Sequence, residues 1–303
     1  RKAPPSPLYS SSNHVLRNWN NRSAIHVPSV SSLFSAKTRV YALIGDPISH
    51  SFSPPMQNAA FRKLKLNSVY VAFRVKGKHL EEALNGVRSL GIAGLNVTVP
   101  HKSSVIPYLD EVTPLALRVG AVNTIVNREG RLIGTNTDAT GFLRSLKEAE
   151  FSPAGKSVVL LGAGGSARSL LAGLSEAGVQ RIGIWNRTRV RAEGLIEEFK
   201  EGCRGTELKV LQDDKLDGLS CDLLINSTSA GMKEGEIPYD LKRAGSISRV
   251  SDIIYNPPRT TLLSQAEAMG IPNQNGIGML LPQGCEAFRF WTGHEAPVDV
   301  MRE

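Results

Sequence analysis

A glycine-rich turn near the middle of the chain constrains the fold more than any other feature of the sequence. Apolar residues 158–161 (VVLL) predict a buried strand, and residues 162–167 (GAGGSA) follow it and open a predicted helix. This spacing fits the G-x-G-x-x-G/A turn of a dinucleotide-binding unit, which joins a strand to a helix. Gly162 permits the tight turn, Gly164 lets the backbone approach a pyrophosphate, and the small Ala167 allows close helix–strand packing. The turn therefore predicts a Rossmann-type domain.

The helix that follows this turn offers free backbone N–H groups and the positive end of its dipole to phosphate groups. We predict that the pyrophosphate of a dinucleotide binds at Gly162, Ala163, Gly164, Gly165, Ser166 and Ala167. A tight strand–helix turn that binds no ligand is the alternative.

The end of the next predicted strand indicates which dinucleotide binds. The strand ends in Asn186-Arg187-Thr188, and Arg191 lies one helical turn further on. NAD sites usually have an Asp or Glu here, which accepts hydrogen bonds from ribose hydroxyls. The neutral Asn186 removes a carboxylate that would repel a 2′-phosphate, and Arg187 and Arg191 offer charge-assisted donors to it. The sequence predicts NADP(H) as the cofactor, with an exposed basic helix face as the alternative.

The residues before the turn alternate between predicted strands and predicted helices. Strands are predicted at 41–45, 69–75 and 92–99, and helices at 54–64 and 79–90. Such a βαβαβ run indicates a mostly parallel sheet with helices on its faces. Residues 121–136 predict two further strands joined by a turn at Glu129-Gly130. We therefore predict an α/β protein with two lobes, an N-terminal α/β domain and a Rossmann-type NADP-binding domain, with a cleft between them.

The charge of the chain argues against a nucleic-acid-binding face. The net charge is +8, but residues 1–40 contain six Lys or Arg and no Asp or Glu, which leaves only +2 for the remaining residues. A nearly neutral folded part does not imply a wide basic surface. No apolar run approaches 18 residues, so we expect no transmembrane helix and no membrane partner.

Residues 1–38 are rich in Ser, Pro and Asn, and predict a disordered basic extension, with an organellar transit peptide as the alternative.

Cys203, Cys221 and Cys285 are far apart and form no metal-binding or disulfide pattern. We therefore expect free thiols, no metal site and a cytoplasmic protein.

Several motifs of this chain resemble those of the shikimate dehydrogenases. Residues 45–54 (GDPISHSFSP) resemble the family's G-x-P-x-x-H-S-x-S-P motif, and 96–102 (NVTVPHK), 120–124 (GAVNT) and 134–138 (GTNTD) resemble others. Residues 225–228 (INST) and 276–280 (GIGML) continue the series in the family's order, so that only the N-terminal extension lies outside it. The resemblance implies a substrate domain at 39–137 plus 276–303 and an NADP-binding domain at 138–275.

The activity that this resemblance implies is the reversible, NADPH-dependent reduction of 3-dehydroshikimate to shikimate, a step of aromatic amino-acid biosynthesis. Matched position by position, Lys102 and Asp138 correspond to the catalytic pair. Residues that correspond to substrate contacts are Ser51 and Ser53 at the carboxylate, Thr98, Asn123 and Gln283 at the ring hydroxyls, and Tyr255. Residues that correspond to further cofactor contacts are Thr228, Ile253, Gly276 and Met279.

These residue types suit the reduction of a polyhydroxylated ring acid. Hydride transfer to a carbonyl develops negative charge on oxygen, which a Lys ammonium can stabilise and protonate. Hydroxyl and amide side chains match the substrate's hydroxyl groups. Each residue also has a simpler interpretation: a solvated charge for Lys102, a helix cap for Asp138, turn and cap roles for Ser51 and Ser53, and core packing for Tyr255.

The chain also departs from the family pattern. Gln57 stands where the family usually has His, Ile253 where many members have Met, and Pro282 precedes Gln283. Two other functions are therefore considered: a quinate/shikimate dehydrogenase of broader substrate or NAD use, and a catalytically silent dinucleotide-binding regulator. Arg187 and Arg191 argue against the first, and the presence of Lys102 and Asp138 argues against the second.

The expected partner is a small-molecule substrate, and a homodimer and a monomer are both compatible with the sequence. The dehydratase domain that is fused upstream in plant members is not visible in the chain. We therefore expect a single-function enzyme of the bacterial type.

Overall fold

The computed structural model describes residues 34–203 and 205–303. The chain divides into two units, residues 1–37 and 38–303, and the fold described below is that of the second unit. The predicted disordered extension, and its transit-peptide alternative, concern residues 1–38, of which residues 1–33 lie outside the described residues. Every helix in the part of the chain that is described is too short or too polar to span a bilayer.

The first sheet of the second unit is mixed rather than wholly parallel. Its strands are β1 (Arg39–Gly45), β2 (Ser68–Arg74), β3 (Gly94–Val97), β4 (Glu111–Val112), β5 (Thr124–Arg128) and β6 (Arg131–Thr135), in the order β2-β1-β3-β5-β6-β4. Strand β1 pairs parallel with β2 and β3, whereas β5 pairs antiparallel with β3 and β6. Glu129 and Gly130 join β5 to β6 with φ of 55° and 88°, and a two-residue turn of this kind forces an antiparallel hairpin.

Helices from both ends of the chain cover this sheet. They are α1 (Ser53–Lys63), α2 (Leu80–Ser89), α3 (Pro114–Val119), α8 (Ile277–Thr292) and α9 (Val298–Arg302). Phe61 of α1 and Phe288 and Trp291 of α8 pack together with Tyr41 of β1 in one buried cluster. The Trp291 indole Nε1 donates to the Ile125 carbonyl at 2.8 Å. We call this sheet with these five helices the N-terminal lobe.

The second sheet is wholly parallel. Its strands are β7 (Ser157–Leu161), β8 (Arg181–Trp185), β9 (Glu207–Val210), β11 (Leu223–Asn226), β13 (Val250–Asp252) and β14 (Asn273–Gln274), in the order β14-β13-β11-β7-β8-β9. The helices of this part are α5 (Gly165–Glu176), α6 (Arg189–Phe199) and α7 (Thr261–Ala268), and the strands β10 (Ser220–Cys221) and β12 (Ser246–Ile247) form a separate parallel ladder. We call this part the Rossmann lobe. The predicted α/β fold with two lobes is confirmed.

Helix α4 (Asp138–Glu148) joins the two sheets in sequence and packs on both α5 and α8. Its close approach to α8 depends on Gly141, because a Cβ at this position would lie 2.8 Å from the Cβ of Gln283. The first residue of α4, Asp138, therefore lies where the N-terminal lobe meets the Rossmann lobe.

Candidate active site

A buried ion pair forms the centre of the candidate site. The Lys102 Nζ lies 2.6 Å from the Asp138 Oδ2, and the two side chains are only 10% and 5% exposed. Lys102 is thus not a solvated surface charge, and Asp138 is not the N-cap of α4, because Thr137 occupies that position. Removing two charges from water has a large desolvation cost. A pair buried to this extent at a junction of lobes is a candidate for chemistry rather than for stability alone.

Amide side chains hold the carboxylate of this pair in place. The Asn123 Nδ2 donates to the Asp138 Oδ1 at 2.9 Å and to the Thr137 Oγ1 at 2.9 Å. The Asn123 Oδ1 accepts from the Thr137 backbone N–H at 2.8 Å, which fixes the orientation of the amide. The Gln283 Oε1 lies 3.4 Å from the Asn123 Nδ2. The structure thus brings together four of the predicted substrate residues: Lys102, Asn123, Asp138 and Gln283.

Of the predicted carboxylate-binding serines, Ser51 lies in the loop between β1 and α1, and Ser53 is the first residue of α1. The Ser51 Oγ accepts from the backbone N–H of Ser53 at 3.2 Å. Tyr255 reaches this loop from the Rossmann lobe, and its ring lies 5.2 Å from that of Phe52. Burial raises the pKa of Tyr255, against smaller opposing effects of Ser51 and of the Phe52 backbone. Tyr255 therefore bridges the two lobes and is not only a core residue.

Thr98 stands apart from the other predicted substrate residues. It follows β3 and is half-buried, and its hydroxyl has no hydrogen-bond partner within residues 34–203 and 205–303. Its methyl group packs so closely on Gly45 that a Cβ there would lie 2.4 Å from the Thr98 Cγ2. The role of Thr98 at a ring hydroxyl stays a prediction.

The glycine-rich turn has room for a ligand on one side and touches the ion pair on the other. Gly162 has a φ of +111°, and a Cβ there would lie 2.6 Å from the Ser227 Oγ, so this position requires glycine. A Cβ at Gly164 would meet no atom within 4 Å, and no side chain caps the start of α5. The open turn and the uncapped helix start fit a phosphate group.

Gly165 and Ser166 face Lys102 rather than open space. A Cβ at Gly165 would lie 2.8 Å from the Cβ of Lys102. The Ser166 Oγ accepts a hydrogen bond from the Lys102 Nζ at 3.3 Å. The predicted cofactor turn and the predicted catalytic lysine are therefore in direct contact, although they lie in different lobes.

Two arginines at the end of β8 are available to an anion. Arg187 and Arg191 are exposed, and neither forms an ion pair within the part of the chain that the structure describes. Arg189, between them, is paired with Glu193 at 2.7 Å. The Asn186 Nδ2 donates to the Thr188 carbonyl at 2.8 Å, which holds this segment in a turn before α6.

Of the other predicted cofactor residues, Thr228 lies beside the glycine-rich turn. The Thr228 Oγ1 donates to the Asn226 Oδ1 at 2.7 Å, and the Thr228 methyl group lies beside Gly162. Gly276 packs closely against the Ile253 carbonyl: a Cβ at position 276 would lie 2.0 Å from that oxygen. Met279, in the first turn of α8, is 8% exposed and packs against the buried apolar cluster of the Rossmann lobe. Contacts of these residues with a nicotinamide stay predictions.

Two buried polar residues near the ion pair, Asn136 and Thr137, were not predicted as site residues. The Asn136 Nδ2 donates to the Ser169 Oγ at 2.9 Å, and the Asn136 Oδ1 accepts from the Asp138 backbone N–H at 3.0 Å. Thr137 bonds Asn123 through both its backbone and its hydroxyl. Both residues belong to the motif 134–138, which was recognised in the sequence, but only Asp138 of that motif was predicted as a site residue.

A second buried carboxylate holds the loop that carries Tyr255. Asp252 is fully buried and accepts from the Asn226 Nδ2 at 3.0 Å, the Ile254 backbone N–H at 3.0 Å and the Thr260 Oγ1 at 2.8 Å. Burial outweighs these three hydrogen bonds and raises the pKa of Asp252 to about 6. Both ends of the loop from 253 to 259 are thus fixed to one carboxylate.

This carboxylate predicts a pH dependence of stability. The pKa of the Asp252 side chain rises from 3.8 to about 6 on folding, so the folded chain binds a proton more tightly in that range. Protonation of Asp252 therefore raises the free energy of unfolding as the pH falls from about 6 to 4. This contribution is lost as the pH rises through about 6. We expect the stability of the parent relative to Asp252→Asn to change by up to about 3 kcal/mol over this window. Urea unfolding at several pH values measures it, and a pH-independent difference between the two proteins contradicts it.

Comparison with known proteins agrees with this geometry. Residues 43–125 match the family model of the shikimate dehydrogenase substrate binding domain, residues 145–233 that of shikimate / quinate 5-dehydrogenase, and residues 276–303 that of the shikimate 5′-dehydrogenase C-terminal domain. The three matches follow one another along the chain without overlap.

Individual relatives cover nearly the whole chain. The shikimate dehydrogenase (NADP(+)) of Methanopyrus kandleri is 46% identical over 282 residues, which are 91% of this chain and 97% of the relative. That of Desulforamulus reducens is 45% identical over 277 residues, 88% of this chain and 94% of the relative. The structure of shikimate 5-dehydrogenase from Thermus thermophilus in complex with NADP(H) and shikimate has a TM-score of 0.78 at 36% identity, and the match covers 87% of this chain and 97% of that one. At this similarity and coverage, the chain belongs to the shikimate dehydrogenase family.

Proposed function

We propose that this chain catalyses the reversible, NADPH-dependent reduction of 3-dehydroshikimate to shikimate. The observation that carries the proposal is the buried Lys102–Asp138 pair at 2.6 Å, which lies in contact with the glycine-rich turn. A proton donor and a cofactor turn in contact with each other are what the reduction of a carbonyl by a nicotinamide requires. Relatives named for this activity, at 45–46% identity, support the same conclusion.

In this proposal the two lobes have separate tasks. Residues 39–137 together with 276–303 form the substrate domain, and residues 138–275 form the NADP-binding domain. Ser51 and Ser53 hold the substrate carboxylate at one end of the site. At the other end, Asn123 and Gln283, which lie next to each other, bind ring hydroxyls. Thr98 binds a ring hydroxyl from the end of β3, and Tyr255 contacts the substrate from the Rossmann lobe.

Lys102 and Asp138 carry the proton chemistry. NADPH, when bound, supplies the hydride. The Lys102 ammonium stabilises the negative charge that develops on the carbonyl oxygen and donates a proton to it. Asp138 holds the Lys102 ammonium with one oxygen, and its carboxylate also accepts a hydrogen bond from a neighbouring substrate hydroxyl. Asn123 donates to the other carboxylate oxygen, so the carboxylate keeps one orientation while the proton moves.

The residues around the turn fit NADP(H). The backbone of residues 162–167 and the start of α5 are open to a pyrophosphate. Arg187 and Arg191, without ion-pair partners among the described residues, are placed to bind a 2′-phosphate. Asn186, Thr188, Thr228, Ile253, Gly276 and Met279 complete the proposed cofactor site. A cytoplasmic location and the choice between monomer and homodimer stay predictions.

An oxidation assay with four combinations of substrate and cofactor tests the proposed function. We expect the purified chain to oxidise shikimate with NADP, with a kcat/KM above those for quinate with NADP and for shikimate with NAD. Quinate has one more hydroxyl, on the carbon that bears the carboxylate, so it presents an extra polar group to the Ser51 and Ser53 end. The absorbance of the reduced nicotinamide measures turnover with either cofactor. Equal activity on quinate favours the broader dehydrogenase, and no turnover in any combination favours the silent regulator.

A further inference from the structure

Tyr70 is a buried phenol that the mechanism above does not use. Its side chain lies on β2 and is 1% exposed, with its ring 5.9 Å from that of Trp291. Its hydroxyl donates to the Asn96 Oδ1 at 2.7 Å, and Ser53 is near enough to lower the pKa of the phenol. Burial raises the pKa of Tyr70 well above its ordinary value, so the phenol stays protonated. The sequence analysis did not single out Tyr70.

Backbone groups fix the direction of the hydrogen bonds beyond Tyr70. The Asn96 Nδ2 donates to the Asn123 backbone carbonyl at 3.2 Å, and a carbonyl can only accept. The Asn96 Oδ1 must therefore be an acceptor, and Tyr70 must be the donor to it. In the same way the Thr137 backbone N–H, which can only donate, makes the Asn123 Oδ1 an acceptor. The two amides therefore have one orientation each.

The remaining links follow from these two orientations. The Asn96 Nδ2 also donates to the Thr124 Oγ1 at 3.2 Å, and Thr124 in turn donates to the Asn123 Oδ1 at 3.0 Å. The Asn123 Nδ2 donates to the Asp138 Oδ1. The hydrogen bonds therefore all point one way, from Tyr70 through Asn96, Thr124 and Asn123 to Asp138. A carboxylate, which accepts only, ends the chain.

We propose that Tyr70 is a positioning residue for the catalytic carboxylate of Asp138. This inference rests on the proposed function, because Asp138 has its catalytic role only there. Tyr70 touches neither the substrate nor the reacting atoms. It acts by fixing Asn96, and through Thr124 and Asn123 it fixes the oxygen of Asp138 that does not hold Lys102.

The variant Tyr70→Phe tests this inference, with Tyr41→Phe as its matched control. Tyr41 is also 1% exposed and stacks on the same Trp291 at 5.3 Å, but its hydroxyl has no hydrogen-bond partner within the described residues. For Tyr70→Phe we expect kcat to fall about tenfold, because small displacements of catalytic groups are costly. The KM for shikimate should stay near that of the parent, and the KM for NADP should not change. Tyr41→Phe should match the parent in all three.

Two results would overturn the inference. One is a kcat of Tyr70→Phe within twofold of that of Tyr41→Phe. The other is a raised KM for shikimate at unchanged kcat, since Tyr70 would then shape only the carboxylate end. If Tyr70→Phe does not fold, Thr124→Val breaks the same chain at another fully buried link and should show the same loss of kcat without a rise in KM. Parent-like kinetics of Thr124→Val would then overturn the inference.

The parent protein in the same assay separates the inference from the proposed function. An active parent with a parent-like Tyr70→Phe overturns the inference alone. A parent that does not oxidise shikimate overturns the proposed function, and the inference falls with it.

Discussion

Replacement of Lys102 by alanine lowers kcat by roughly 10²–10⁴-fold, the range that is usual for the loss of a general acid. The reason lies in the geometry: the Lys102 Nζ is held by the Asp138 Oδ2 at 2.6 Å and by the Ser166 Oγ at 3.3 Å. No other ammonium group is bonded to Asp138 within the described residues. Shikimate affinity should fall far less, because the proposed contacts of Ser51, Ser53 and Asn123 remain. Steady-state kinetics and calorimetric titration with shikimate measure the two effects.

Stability must be separated from catalysis in this experiment. Loss of Lys102 leaves the Asp138 carboxylate buried without its cation, and breaking a buried pair typically costs about 3–5 kcal/mol of stability. Lys147→Ala, at an exposed position of α4, is the matched control and should have the kcat of the parent. Asp138→Asn should lower both kcat and shikimate affinity, because the Asp138 carboxylate is proposed to hold the Lys102 ammonium and to accept a hydrogen bond from a substrate hydroxyl. A folded Lys102→Ala variant with near-parent turnover would show that Lys102 has no catalytic role.

Local sequence patterns predicted the elements whose causes are local. The strand β7, the turn at 162–167 and the start of α5 follow from an apolar run and from glycine positions, and the structure has them there. The hairpin at Glu129-Gly130 follows from its turn. The short strand β9 and the short helix α3 carry too few residues to show a period, and the sequence analysis did not predict them.

The buried polar network could not be predicted in the same way. Tyr70 and Asn96 are 26 residues apart in sequence, and they meet only because β2 and β3 both flank β1 in the sheet. A buried amide side chain needs hydrogen-bond partners, and this applies to Asn96 as it does to Asn123. Sequence can therefore mark such residues as requiring partners, but the sheet order decides which partners they obtain. The contact between Ser166 and Lys102 depends in the same way on how the two lobes meet.

The cofactor preference should be reversed or abolished by changes at the end of β8. Arg187→Ala combined with Arg191→Ala is expected to raise the KM for NADP by roughly 10²-fold and to leave the use of NAD almost unchanged. NADP places a nearly dianionic phosphate at the adenosine ribose, where NAD has only a hydroxyl, so only NADP loses charge-assisted contacts. Asn186→Asp should act in the same direction, because it adds a repelling carboxylate at the end of the strand.

Arg189 provides the control for this experiment within the same segment. It is an arginine of α6 that is already paired with Glu193, so Arg189→Ala should change the KM for NADP much less than the double variant does. Because Arg187 and Arg191 are exposed, the preference of the parent for NADP should also shrink as the salt concentration rises. Kinetics with both cofactors at low and high salt measure the preference. Equal kcat/KM for NAD and NADP in the parent would contradict the assignment of the two arginines to a 2′-phosphate, and would favour a quinate/shikimate dehydrogenase that uses NAD.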